Sequence, residues 1–158
     1  MYYVVAESKS YWKMNKITII IVDDHRLVRE TWSFILNSDP RFKVIGECEC
    51  GEDAVEVIPQ MQPDIVIMDI NLPGISGIDA TEQIIQSGCP SKILGVSLHS
   101  DPNYARRMLQ KGAMGYVTKN SAREEMFDAI LKLQNGEKYI CEEIKKILSE
   151  IMESSEFF

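Results

Sequence analysis

The sequence predicts a doubly wound α/β fold, a five-stranded parallel sheet with helices on both faces. Two observations predict it. Short β-rich apolar runs recur along the chain, and segments of helical period separate them. Parallel strands need helical crossovers, so alternation of the two periods favours this architecture over an antiparallel one.

The first run is ITIIIV, residues 17–22, and in the helical stretch after it Val28, Trp32 and Ile35 share a face. KVIGEC, 43–48, is the second, followed after Gly51 by a face of Ala54, Val55 and Ile58. The third, DIVIMD at 64–69, reads as a strand buried on both faces that nevertheless delivers a carboxylate, Asp69, at its end. Asn71, Pro73 and Gly74 then turn the chain into a helix carrying Ile78, Thr81, Ile84 and Ile85. KILGVS, 92–97, precedes a helix that opens at Asp101-Pro102-Asn103 and places Ala105, Met108 and Leu109 inward. After AMGYV, 113–117, Ser121 and Glu124 have capping-box spacing, Met126, Phe127, Ile130 and Leu133 form a stripe, and Asn135-Gly136 ends the helix.

Residues 1–15 have no clear period and read as an N-terminal extension or tag-like segment. The alternating unit occupies 16–135, and 136–158 are expected to be a linker helix and tail. In that helix Ile144, Ile147, Leu148 and Ile151 recur at i, i+3, i+4 and i+7, an amphipathic stripe that covers too few turns for a coiled coil.

The composition narrows the function. At 158 residues the chain fits one domain with tails, and 45% apolar residues place it among globular proteins. A formal net charge of -7 argues against direct binding of nucleic acid. No apolar run is long enough to span a bilayer, and no secretory signal pattern opens the chain, so the cytoplasm is the expected location. Cys48, Cys50, Cys89 and Cys141 have no zinc-ligand spacing and read as free thiols, Cys48 and Cys50 pointing the same way on one strand. His25 and His99 read as local hydrogen-bonding residues.

Ligands of open α/β sheets collect beyond the carboxyl ends of the strands. Asp23 and Asp24 end the first strand, Asp69 the third and Ser97 the fourth, and Lys119 follows the fifth, so five polar residues converge at one edge. Three close carboxylates repel one another unless a cation is present, and Mg²⁺ favours such an oxygen-rich, water-accessible site. Asp69 is then a nucleophile suited to forming an acyl phosphate, while the metal and Lys119 neutralise the transferring oxygens and Ser97 hydrogen-bonds one of them.

These residues resemble the receiver domains of two-component response regulators. The similarity covers about residues 16–135, through IIIVDDHRLVRE, VIGECECGEDAVEVI, PDIVIMDINLPGISGIDA, ILGVSLHSD and KGAMGYVTKN in that order. The DDH after the first strand, and NGEKYICEEI after the last helix, are similar to the NarL/LuxR-type subfamily. The resemblance implies a flavodoxin-like (βα)5 receiver fold in which Asp69 is the phosphoacceptor and Asp23, Asp24 and Asp69 hold Mg²⁺ with the main-chain carbonyl of Asn71. It implies a switch at Ser97 and Tyr116, the family's lysine at Lys119, and phosphate-lifetime tuning by Asn71 and His99. The implied donor is a histidine kinase, and the implied output is a helix-turn-helix DNA-binding domain lying beyond the linker. Homodimerisation through a helical face is a further expectation, with Met126, Phe127 and the terminal stripe offering apolar surface. One departure stands out: Asn120 follows Lys119 where many receivers have a cis proline, and a cis bond to a non-proline residue costs roughly 2.5–4 kcal/mol.

Three other classes fit less well. An aspartyl-nucleophile phosphohydrolase wants an acid two residues after the nucleophile, where this chain has Asn71. A flavodoxin-like electron carrier needs a phosphate-cradling first loop, and DDHR would repel phosphate. A receiver-like interaction module that works without phosphate remains the main alternative, although every acceptor-site residue is present.

Overall fold

A computed structural model describes residues 16–98 and 101–156, with side chains through residue 150. The extension at 1–15, His99 and the side chain of Ile151 lie outside the described residues. The elements alternate as β1 (Ile17–Val22), α1 (Arg26–Asn37), β2 (Phe42–Cys48), α2 (Gly51–Met61), β3 (Ile65–Asp69), α3 (Gly77–Gln86), β4 (Lys92–Ser97), α4 (Pro102–Gln110), β5 (Gly115–Thr118) and α5 (Arg123–Gln134). A short β6 (Tyr139–Ile140) and α6 (Glu142–Glu156) follow. All pairings are parallel, in the order β2-β1-β3-β4-β5-β6.

The central strands are as apolar as their burial requires. Ile19, Ile20, Ile65, Val66, Met68, Ile93, Leu94 and Val117 are all fully buried, because helices cover both faces of the sheet. Ile78, Ala80, Thr81 and Ile84 of α3, Ala105 and Met108 of α4, and Met126, Ala129, Ile130 and Leu133 of α5 seal against it. On α1 the face of Val28, Trp32 and Ile35 is only half-buried, and Leu36 alone is fully buried, while Leu27 and Phe34 are each 76% exposed. That helix therefore lies shallow on the sheet and keeps apolar side chains in solvent.

The sequence expectations differ from the fold in four places. A sixth strand is present: the chain turns back after α5, and Tyr139 and Cys141 donate backbone hydrogen bonds to the Met114 and Tyr116 carbonyls at 3.1 and 3.0 Å. Two residues are too few to show a period, which is why this strand is silent in the sequence. The Ser121 capping box does not form, since Ala122 is the N-cap of α5 and the Ser121 hydroxyl lies 3.5 Å from that of Thr118. Cys50 lies beyond β2, as the half-buried N-cap of α2, so it does not share a strand with the buried Cys48; all four cysteines are free thiols. Finally, part of the surface expected to serve dimerisation is internal. Met126 and Ile144 are core residues, and Phe127 packs on Phe42 with ring centroids 5.2 Å apart.

Candidate functional site

The β1–β3 neighbourhood is where strand order reverses, with β2 on one side and β4 on the other. Helices leave on opposite faces there and open a crevice at the carboxyl ends of the strands. β1 carries Asp23 and Asp24 just past its end, β3 ends on Asp69, and the loop after β5 brings in Lys119. Lys119 Nζ donates to Asp23 Oδ2 at 3.0 Å and to Asp69 Oδ2 at 3.2 Å, so one ammonium bridges two carboxylates. The Lys119 backbone N–H donates to the Ser97 carbonyl at 2.8 Å, tying its loop to the end of β4. No cis peptide bond occurs among the described residues, and the Lys119–Asn120 bond is trans.

Asp69 is 2% exposed, and burial pushes its pKa above the ordinary carboxylate value, with the Asp23 charge adding to the rise. Lys119 and the Asn71 N–H, which donates to Asp69 Oδ1 at 3.1 Å, oppose that rise without cancelling it. Burial alone would lower the Lys119 pKa, but the hydrogen bond to Asp23 and the charges of Asp69 and Asp23 outweigh it, and the net shift is upward. Lys119 is therefore a cation throughout the neutral range.

Ligand atoms of Asp23, Asp24, His25 and Asp69 all lie within 4.8 Å of one another. Asp24 is exposed, whereas Asp23 and Asp69 are buried, so the cluster opens to water on one side. Three carboxylates with a wet side are the donor set that a hard divalent cation such as Mg²⁺ takes, with waters filling its remaining positions. His25 Nδ1 lies 3.2 Å from Asp23 Oδ1 and 3.2 Å from Asp24 Oδ1, a local hydrogen-bonding role that also sets it at the rim of the acid cluster.

Ser97 and Tyr116 are both fully buried on neighbouring strands, and a hydrogen bond joins their side chains. Burial raises the Tyr116 pKa to about 12 despite that bond. The structure thus gathers Asp23, Asp24, Asp69, Asn71, Ser97, Tyr116 and Lys119 at or directly behind one crevice.

Two contributors escaped the sequence reading. Arg29 Nη1 donates to the Asp23 carbonyl at 2.6 Å and its Nε lies 3.4 Å from Glu47 Oε1, which pins the turn bearing the acids. Its place on the inner side of α1, six residues after Asp23, is the signal that could have found it. Glu52 Oε1 accepts the Ile75 N–H at 2.7 Å across 23 residues of chain, and no local pattern announces that pairing.

The sequence profile of the response regulator receiver domain matches residues 19–131. The chain belongs to that family. Among curated relatives, it is 40% identical over 126 residues to the transcriptional regulatory protein DegU of Brevibacillus brevis, covering 80% of this chain and 53% of that protein. It is 35% identical over 133 residues to the response regulator GacA of Pseudomonas aeruginosa, covering 84% of this chain and 62% of that one. A solved LuxR-family two-component response regulator from Aurantimonas sp. SI85-9A1 superposes with a TM-score of 0.83 at 33% identity, over 87% of this chain and 98% of that one. The receiver spans roughly half to three-fifths of the two curated relatives' lengths, with shares of 53% and 62%.

Proposed function

We propose that this receiver is a phosphorylation-activated switch in which Asp69 accepts a phosphoryl group from a histidine kinase, with Mg²⁺, and thereby controls a transcriptional output. The observation that carries the reading is the buried Asp69 carboxylate, held at a strand end within 3.2 Å of the Lys119 ammonium and beside Asp23 and Asp24. Asp23, Asp24 and Asp69 would hold Mg²⁺ with the Asn71 carbonyl, and the bound ion would neutralise charge on the phosphoryl oxygens.

An Asp69 carboxylate oxygen attacks phosphorus while the bond from phosphorus to the donor imidazole nitrogen breaks. That nitrogen takes up a proton, and an aspartyl phosphate remains. Lys119 already donates to Asp69 Oδ2, so it exchanges a carboxylate partner for a phosphoryl oxygen with little reorganisation. Ser97 stands behind it with its hydroxyl engaged by Tyr116, so a bond from Ser97 to the phosphoryl group competes with the one to Tyr116. That competition gives the two states different interactions with phosphate, which a population shift requires. Asn71 and His99 tune hydrolysis of the aspartyl phosphate, and this self-directed chemistry is the domain's only catalysis.

Leu27, Val28, Thr31, Trp32 and Leu98 line a groove that reaches Lys119, an apolar seat for a cytoplasmic kinase helix delivering phosphohistidine. Among the described residues no helix is long and apolar enough to cross a membrane. If the full protein has a helix-turn-helix domain, DNA contact belongs to that domain and not to this chain, and a homodimer is part of the proposed output.

Intact mass after incubation with acetyl phosphate tests the reading. The wild type should gain one phosphoryl group only with Mg²⁺, and Asp69→Asn should gain none. A folded wild-type protein that gains nothing would leave a phosphate-independent interaction module.

A further inference from the structure

The loop between β3 and α3 has to hold the Asn71 backbone still beside Asp69, yet its own sequence gives it few means of doing so. Its ends are fixed: the Ile70 N–H donates to the Val96 carbonyl at 3.1 Å and the Gly77 N–H to the Ile70 carbonyl at 2.9 Å. Its middle, Pro73-Gly74-Ile75, bulges toward α2 instead of the sheet. There the Glu52 carboxylate takes the Ile75 N–H at 2.7 Å.

Two glycines show that this approach is built in. Gly74 has φ of +74°, and a Cβ at that position would collide with Glu52 Oε1, so the backbone wraps around the carboxylate. A Cβ on Gly51 would lie 2.7 Å from Ile75 Cγ1 and 3.0 Å from the Ile75 carbonyl oxygen, so the start of α2 is also pressed against the loop. Glu52 sits in the first turn of α2, where the helix dipole favours a negative charge. The bond from Ile75, followed by that from Glu52's own backbone N–H, holds its carboxyl below the ordinary range, so it is ionised at neutral pH and its hydrogen bond is charge-assisted.

We propose that Glu52 is a positioning residue for the acceptor site: by clamping Ile75 from α2 it fixes the loop whose Asn71 backbone donates to Asp69 and offers the metal a carbonyl. The inference rests on the phosphoacceptor reading above and adds to it a residue from a different element. Glu52 touches neither the acceptor nor the metal ligands and acts only through the loop.

The test is a calorimetric Mg²⁺ titration of the full chain as wild type, Glu52→Ala and Glu52→Gln, beside acetyl phosphate phosphorylation rates at low and saturating Mg²⁺. Outer-shell partners of a metal site typically carry roughly 10–100-fold in affinity, and Glu52→Ala should lose about tenfold, the low end, because it acts through the main chain. Its phosphorylation rate should fall in parallel at low Mg²⁺ and recover most of the loss at saturation. Glu52→Gln keeps an acceptor oxygen and should bind Mg²⁺ within about twofold of wild type. Wild-type Mg²⁺ affinity in Glu52→Ala overturns the proposal. So does a Gln variant as weak as the Ala variant, because charge rather than the loop bond would then carry the effect. A wild type that binds Mg²⁺ but takes no phosphoryl group contradicts the phosphoacceptor reading instead, and leaves the titration to judge the clamp.

Discussion

Asp69 is poised at a cost to the fold. Its pKa is raised by burial and by Asp23, so its contribution to stability is full below the ordinary carboxylate pKa and is lost as pH rises through the folded-state value. Metal-free Asp69→Asn should therefore melt above wild type at pH 7, at about 2–4 °C per kcal/mol for a chain of this length, and the gap should close as pH falls into the carboxylate range. Melting curves of both proteins in EDTA across that range check this. Gly77 is held equally tightly, against the Asp69 backbone. A Cβ there would collide with the Asp69 carbonyl oxygen, so Gly77→Ala should cost about 1–3 kcal/mol in urea unfolding, because backbone cannot step aside as a side chain can. Asp23, Asp24, Asp69, Ser97 and Lys119 were legible because strand ends announce themselves by where the apolar runs stop. Glu52 and Arg29 were not, because each works on a backbone group that only the folded chain brings within reach.

Among the elements, the β6–α6 extension is joined to the switch strand. The Thr118 hydroxyl donates to Glu143 Oε2 at 3.1 Å, the Tyr139 hydroxyl donates to Glu125 Oε2 at 2.9 Å, and Cys141 and Ile144 are fully buried. α6 packs against α4, next to the strand that carries Tyr116. Thr118→Val removes one bond to a charged acceptor, worth about 1.5 kcal/mol, and should speed amide exchange in α6 roughly tenfold while leaving β1 and β3 unchanged. Exchange measured by mass spectrometry after proteolysis reads this directly. The long alternating segments were legible as elements since each repeats its period over several turns or pleats. The capping box at Ser121 misled because its spacing is local, whereas the Ser121 hydroxyl faces the end of β5.

For the whole molecule, a chain with formal net charge -7 concentrates three carboxylates at one edge of its sheet and sets the half-buried Lys119 ammonium against two of them. A divalent ion that binds only the folded state stabilises it by mass action, about 2.7 kcal/mol at a hundredfold excess over Kd. Mg²⁺ should therefore raise the melting temperature of wild type markedly and that of Asp69→Asn much less, reversing their metal-free order. The acyl phosphate should form on one carboxylate, and borohydride trapping shows which. Reduction of the phosphorylated protein releases phosphate and converts the acylated aspartate to homoserine, which peptide mass spectrometry then locates. Homoserine should appear at position 69 alone; homoserine at Asp23 or Asp24, or none in a protein that has gained phosphate, would show that Asp69 is not the acceptor.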